Sequence, residues 1–304
     1  MESNLLFTGE LAALGTAILF SFGSTLFTLA GRELGSSAVV NRTRLLLAVI
    51  LLMALHWLTL GTLGPFGADA SHWFWLALSG LIGLALGDAF LFQAFVMIGP
   101  RLSMLMMALA PVIATVLAWI FLGEVLNAQE LAGIAITVAG VFWVVSDRSN
   151  HNGHEANPRA YLLGILFGLG GAAGQAGGMV TAKLGLTGDF PALSGNVIRM
   201  LTATLIVWVF TLVRGQAAAG FLRLRAHPRA MVKISIATLT GPVFGVWLSL
   251  IAVQNAPVGI ASTLMSLTPV FLIPIAYAVF REKPTLRAVL GTVVAFAGTA
   301  LLFL

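Results

Sequence analysis

The chain carries one stretch twice, and this duplication limits its possible folds more than any other feature. Met107-Ala108-Leu109-Ala110-Pro111-Val112 leads into an apolar run, Gly123-Glu124, then Gly133 and Gly140. At a shift of 158 (Pro111 to Pro269), Met265-Ser266-Leu267-Thr268-Pro269-Val270 leads into an apolar run, Glu282, then Gly291 and Gly298. Upstream, Gly99-Pro100 answers Ala256-Pro257 at a shift of 157, and Asn41-x-x-Arg44 answers Asn196-x-x-Arg199 at 155. A helix, a short acidic turn and a second helix are duplicated, and self-similarity of this kind is settled before any other reading.

What is duplicated belongs in a lipid bilayer. Uncharged apolar runs recur along the whole chain, and about 20 such residues cross a membrane as a helix. With 59% hydrophobic and only 9% charged residues among 304, a soluble globular domain is excluded; such domains carry about 25% charge. The sequence pI near 10.4 does not indicate nucleic acid, because the basic residues sit in turns between spans and act as topology signals. The absence of cysteine removes thiol catalysis, cysteine-ligated metals and disulfides. Met1 to Gly9 holds no Lys or Arg and so lacks the basic flank of a secretory signal.

Ten spans are expected, at about 11–30, 39–60, 73–98, 102–122, 130–146, 160–182, 191–213, 232–253, 258–280 and 284–304, with Gly31 to Gly35 as the turn closing span 1. The polar stretch 147–159, with His151 and His154, reads as a solvated linker between two units, 8–146 and 160–304, and not as a metal site. Five spans per half is an odd number, so the second half enters the membrane from the opposite side. Homologous halves of odd span number form an inverted-topology repeat, an architecture of many secondary transporters. The expected fold is therefore an all-α integral membrane protein of ten helices in two inverted five-helix repeats. Gly164/Gly168 and Gly170/Gly174/Gly178 in span 6 stack at four-residue spacing, where another backbone can approach closely.

The duplicated unit resembles the EamA-like domain of the drug/metabolite transporter superfamily. The resemblance rests on Gly87-Asp88, Ala94, Gly99-Pro100, Leu109-x-Pro111, Leu122-Gly123-Glu124 and Gly133/Gly140, answered by Ala252, Pro257, Leu267-x-Pro269, Glu282, Gly291 and Gly298. It implies a permease moving small organic solutes, such as metabolites or drugs, and names no particular ligand. The second half departs in Phe280-Arg281-Glu282, where the first has Leu122-Gly123-Glu124.

Orientation follows from charge. The turns after spans 1, 3, 5, 7 and 9 hold Arg32, Arg42, Arg101, Arg148, Arg159, Arg214, Arg223, Arg225, Arg229, Lys233, Arg281, Lys283 and Arg287, whereas the other side holds only Lys183. Positive residues favour the cytoplasm, which places both termini outside; the resemblance implies cytoplasmic termini. The setting expected is a cell membrane of bacterial inner-membrane type.

Asp88 is the only carboxylate deep within a span, and a charge at mid-helix costs about 2.5–3.5 kcal/mol on insertion scales, so it invites a function. It can bind a cation, exchange a proton or pair with an arginine; a structural hydrogen bond is the plainer use. Gln93 lies off its helix face. Arg199 is too deep in span 7 to reach water by snorkelling, which suits pairing with Asp88 or gripping a substrate carboxylate. Its repeat-mate Arg44 sits nearer a helix start, where snorkelling serves, and Asn41 and Asn196 can hydrogen-bond between helices. Pro111, Pro269 and Pro274 interrupt spans 4 and 9 and free backbone carbonyls, making these spans the expected cavity walls, with Trp119, Trp247 and Tyr277 as further lining or hinge candidates. Glu124 and Glu282 read as structural helix-end residues.

These residues point to a secondary transporter, with export as the expected direction, a small organic solute as partner and protons as a coupling option. No cofactor or metal is implied, and no G-x-x-x-x-G-K-[ST] loop supplies ATP. A non-transporting scaffold or a channel is the alternative. An intramembrane enzyme fits least: Gly87-Asp88 shares half of the aspartyl proteases' G-x-G-D, but Ala85 replaces the first glycine and no second intramembrane aspartate exists.

Overall fold

The computed structural model describes residues 8–122, 127–145, 158–255, 261, 264–280 and 286–301, and these form helices joined by short turns. Lipid offers no water to satisfy backbone N–H and C=O groups, so an apolar chain crosses it with its hydrogen bonds closed inside each helix. Among the described residues six helices are long and apolar enough to cross a membrane: Thr8–Leu34, Ser37–Leu60, Ala70–Met107, Arg159–Gly185, Ala192–Val213 and Pro228–Asn255. Leu131–Trp143, Thr268–Val279 and Val289–Leu301 are shorter apolar helices.

One of the six is two passages. Gly99 has φ +80° and ψ 169°, a conformation that glycine adopts without strain, and Pro100 follows it. Span 6 shows that the chain reverses there. Leu76, Gly87, Leu91 and Ile98 lie against Gly185, Gly174, Gly171 and Gly164 in turn, so span 3 runs antiparallel to span 6. Met106 then meets Gly168, and Leu109 and Ala110 cluster with Ala172 and Ala176, so span 4 runs parallel to it. Span 4 is completed by Ala110–Leu122, and spans 5, 9 and 10 contain Ala128–Val145, Thr268–Phe280 and Leu286–Leu301. Among the described residues ten passages result, five in each half.

Two boundaries differ from expectation. Span 1 stays helical to Leu34 instead of turning at Gly31, and the left-handed Gly35 (φ +61°) ends it. Between spans 7 and 8 stands an additional helix, Ala217–Ala226, whose basic residues Arg223 and Arg225 lie in its last turn. The Arg42 guanidinium lies over its Gly220, so Arg42 is a buried packing residue of span 2 rather than a turn residue.

The packing has the symmetry of an inverted repeat. Repeat-mates 2 and 7 pair with each other: Thr204 Oγ1 donates to the Leu45 carbonyl (3.1 Å) and Trp208 Nε1 to the Arg42 carbonyl (3.1 Å). Spans 5 and 10 do likewise, Gly140 lying on Gly291 and Ala295 while Gly298 lies on Thr137 and Gly133. Spans 3 and 8 are exchanged, span 3 packing on span 6 and span 8 on span 1. Gly87 meets Gly174 backbone to backbone, and in the other half Thr16 Oγ1 donates to the Gly245 carbonyl (3.3 Å). Both exchanged spans carry a π-helical segment, Gly80–Gly87 and Leu239–Gly245, at the same place in the repeat. The wider π turn is uncommon and recurs at functional sites.

Backbone-to-backbone contact at these glycines leaves no room for a methyl group. A Cβ on Gly140 would sit 2.9 Å from the Gly291 oxygen, whereas one on Gly67 meets nothing within 4 Å. Gly140→Ala is therefore expected to cost about 1–3 kcal/mol, the usual penalty of overpacking, and Gly67→Ala almost nothing. Thermal unfolding of the two purified variants in detergent checks this.

Candidate functional site

The broken helices frame a cavity of about 730 Å³. Span 4 loses its α-helical ladder at Ala108-Leu109 and span 9 at Ser266-Leu267, the same place in each repeat. Pro111 and Pro269 supply the local cause, since neither has an N–H for the carbonyl four residues earlier. The chain tightens instead: Leu109 N–H donates to the Met106 carbonyl (3.0 Å) and Leu267 N–H to the Leu264 carbonyl (3.2 Å). Met107, Pro111, Met265 and Pro269 all line the cavity.

The charged residues of the site come from spans 2, 3 and 7. Asp88 directly follows the π-helical segment of span 3 and forms an ion pair with Arg44 of span 2. Arg44 Nε donates to Asn41 Oδ1 (3.0 Å), and its guanidinium lies over the Phe92 ring, 4.7 Å from the centroid. Arg44 is thus buried and fully engaged rather than snorkelling. Asp88 pairs with Arg44 in place of the expected Arg199, although Arg199 remains within electrostatic reach.

Arg199 is 2% exposed, and its Nε and Nη1 have no hydrogen-bond partner. Glycines make room for it: its Nη2 is 3.6 Å from where a Gly83 Cβ would stand, and its backbone rests on Gly80. Asn196 does not repeat the Asn41 contact. Its Nδ2 donates to the Pro242 carbonyl (3.0 Å), and its Oδ1 has no partner.

Several expected residues lie elsewhere. Gln93 is held outside the cavity wall, its Oε1 accepting from Ser37 Oγ (2.6 Å). Pro274 and Tyr277 are exposed and Trp247 packs among the apolar side chains of spans 7 and 8, so none of the three is a lining residue. Pro274 is five residues beyond Pro269, which at about 100° per residue turns it well away from the cavity face. The Trp119 side chain, Glu124, Glu282, His151 and His154 lie outside the described residues.

Other lining groups were not singled out in sequence. Phe27, Phe92 and Phe95 pack in series with tilted rings, centroids 5.0 and 5.5 Å apart, and begin an apolar plug that continues through Leu34, Val39 and Ile234. Beyond it Lys233 of span 8 bridges to Glu33 of span 1, on the side of the basic turns. In the other direction the cavity reaches Lys183, Leu184 and Thr187, exposed residues at the end of span 6. Only Lys183 carried a signal in the sequence, as the lone basic residue of its side.

The profile of the EamA-like transporter family matches residues 7–146 and again 162–304. One solved structure, known only as the crystal structure of a protein, is similar over 100% of this chain and 97% of its own, with a TM-score of 0.63 and 17% identity, a likeness of fold alone. No match was found among curated proteins.

The ion pair is expected to hold spans 2 and 3 together. Asp88→Asn leaves a buried, uncompensated guanidinium, which costs about 3–5 kcal/mol. Arg44→Gln together with Asp88→Asn is expected to recover most of that loss. Unfolding of the single and double variants in detergent measures the coupling, and additive losses would sink it.

Proposed function

This chain belongs to the EamA-like transporter family, whose members are transporters and not enzymes, and we propose that it is a secondary exporter of small organic solutes working by alternating access. The observation that carries this reading is the cavity itself. Paired broken helices from both repeats line it, an apolar plug closes it toward the basic turns, and it extends toward Lys183 in the other direction. A continuous pore, as a channel needs, is not what such a plug provides.

The repeat supplies a second state at small structural cost. Spans 1 and 8 pack on one flank and spans 3 and 6 on the other, in mirrored roles. Rearranging these two contacts in opposite senses closes the cavity at Lys183 and opens it at the plug. Alternating access of this kind is rigid rocking of one repeat against the other around a fixed site.

Charge sets the direction in this reading. With the buried Arg42 set aside, twelve of the thirteen remaining turn-associated basic residues lie on one side, so that side is cytoplasmic and both termini lie outside. The state described then faces outward, as an exporter does when it releases solute. Protons offer a coupling route, because Asp88 lines the cavity and its protonation would release Arg44 from the ion pair.

A chain without cysteine suits single-cysteine labelling. In intact cells a membrane-impermeant maleimide is expected to modify Thr187→Cys, and to reach Arg225→Cys only after permeabilisation. The opposite pattern overturns the orientation. In proteoliposomes, solute movement driven by a pH gradient and lost in Asp88→Asn is the expected sign of proton coupling. Unchanged gradient-driven movement in that variant removes Asp88 from the coupling role.

A further inference from the structure

Arg44 and Arg199 are repeat-mates, yet only one of them is provided for. Each follows an asparagine by three residues, in spans that pair with each other. The charge of Arg44 is met by Asp88 and its Nε by Asn41. In the second repeat the place of Asp88 is taken by Val246, 158 positions on, and Asn196 gives its amide to Pro242. Arg199 consequently lines the cavity as a buried guanidinium with Nε and Nη1 unpaired. Leaving a buried charge without a partner is costly, and a planar guanidinium suits a carboxylate, which it can hold bidentately.

Resting on the transport cavity proposed above, we infer that Arg199 binds the carboxylate of an amphipathic organic monoanion, with the ligand taking the part that Asp88 plays for Arg44. Arg44, Asp88 and Arg199 together carry one net positive charge, which a single carboxylate neutralises. Lys183 is the one further cation among the described lining residues, at the far end. Phe20, Phe27, Leu91, Phe92, Met107 and Met265 supply apolar walls for the body of the ligand. Among the described residues Asp88 is the only carboxylate in the lining, and it is engaged by Arg44, so none of these residues offers a free acidic group to a ligand ammonium. The site is therefore for a simple monocarboxylate, not for a zwitterion or an organic cation.

The test uses the full chain, purified in detergent for binding and in liposomes for uptake, with phenylacetate, phenylacetamide, 2-phenylethylamine, hexanoate and hexanamide as probes. In the wild type the carboxylates are expected to bind at least about tenfold more tightly than their amides, the scale of a charge-assisted contact. Arg199→Gln abolishes that preference, and Arg199→Lys restores part of it. Val246→Asp places an internal carboxylate in the cavity; it also abolishes the preference while retaining or raising the unfolding temperature, which separates loss of the site from loss of the fold. Equal binding of acid and amide by the wild type, or a preference that survives Arg199→Gln or Val246→Asp, overturns the inference. If amide or amine probes bind and move without carboxylate preference, the transport cavity stands and only its anion selectivity falls. If no probe of any charge binds or moves, both readings fall together.

Discussion

A charge carried into a bilayer must find its partner inside the protein, and the pair formed by Arg44 and Asp88 is where this chain meets that demand. The ion pair joins spans 2 and 3, and its surroundings are arranged to keep it. Asn41 takes the Nε proton, and Phe92 covers the guanidinium face. The π-helical segment that ends at Gly87 sets the helical phase of Asp88 just before it enters the cavity. Removing water strengthens the attraction between the two ions, but it penalises either one left alone. The pair therefore matters less as added stability than as a condition on which side chains can stand next to the cavity.

The second demand is geometric. Without a hydrophobic driving force between helices in lipid, association rests on close van der Waals packing and hydrogen bonds between them. The glycines of spans 3, 5, 6 and 10 allow backbone contact at Gly87 with Gly174 and at Gly140 with Gly291. Where the first half uses a glycine pair, the second uses Thr16 donating to the Gly245 carbonyl. Both solutions bring an exchanged span against the opposite repeat, so the two halves share a contact plan without sharing every residue.

Much of this plan was legible in the sequence, because hydropathy and repetition report on helices and their order. The ten passages and the inverted halves follow from the apolar runs and the shift of 158 positions. The partner of Asp88 did not follow. Depth along a helix is readable from numbering, but azimuth is not, and a π-helical turn shifts azimuth by a residue. Arg44 looked like a snorkelling side chain because it lies seven residues from the start of Ser37–Leu60; tertiary packing buries that helix end. The same limit hid the apolar plug, since Phe27, Phe92 and Phe95 are indistinguishable in sequence from lipid-facing phenylalanines. The helix Ala217–Ala226 escaped because ten residues rich in alanine and arginine carry no membrane-spanning signal.

Symmetry explains the architecture, and its local failure explains the site. Two identical inverted repeats would give a structure and its inverted counterpart the same internal energy, leaving nothing in the protein to distinguish the two ends of the cavity. In this chain the repeats also differ where they meet. Asp88 faces Val246 across the symmetry, and Ala110 faces Thr268. Thr268 Oγ1 caps the Met265 carbonyl (2.7 Å) next to Pro269, whereas Ala110 has no hydroxyl for the corresponding Met107 carbonyl. One repeat thus holds its arginine with a carboxylate and leaves its broken helix uncapped; the other caps the helix and leaves its arginine unpaired. Small polar differences at the midplane, in a frame otherwise set by glycine contacts and apolar packing, are enough to make the two ends of the cavity chemically different.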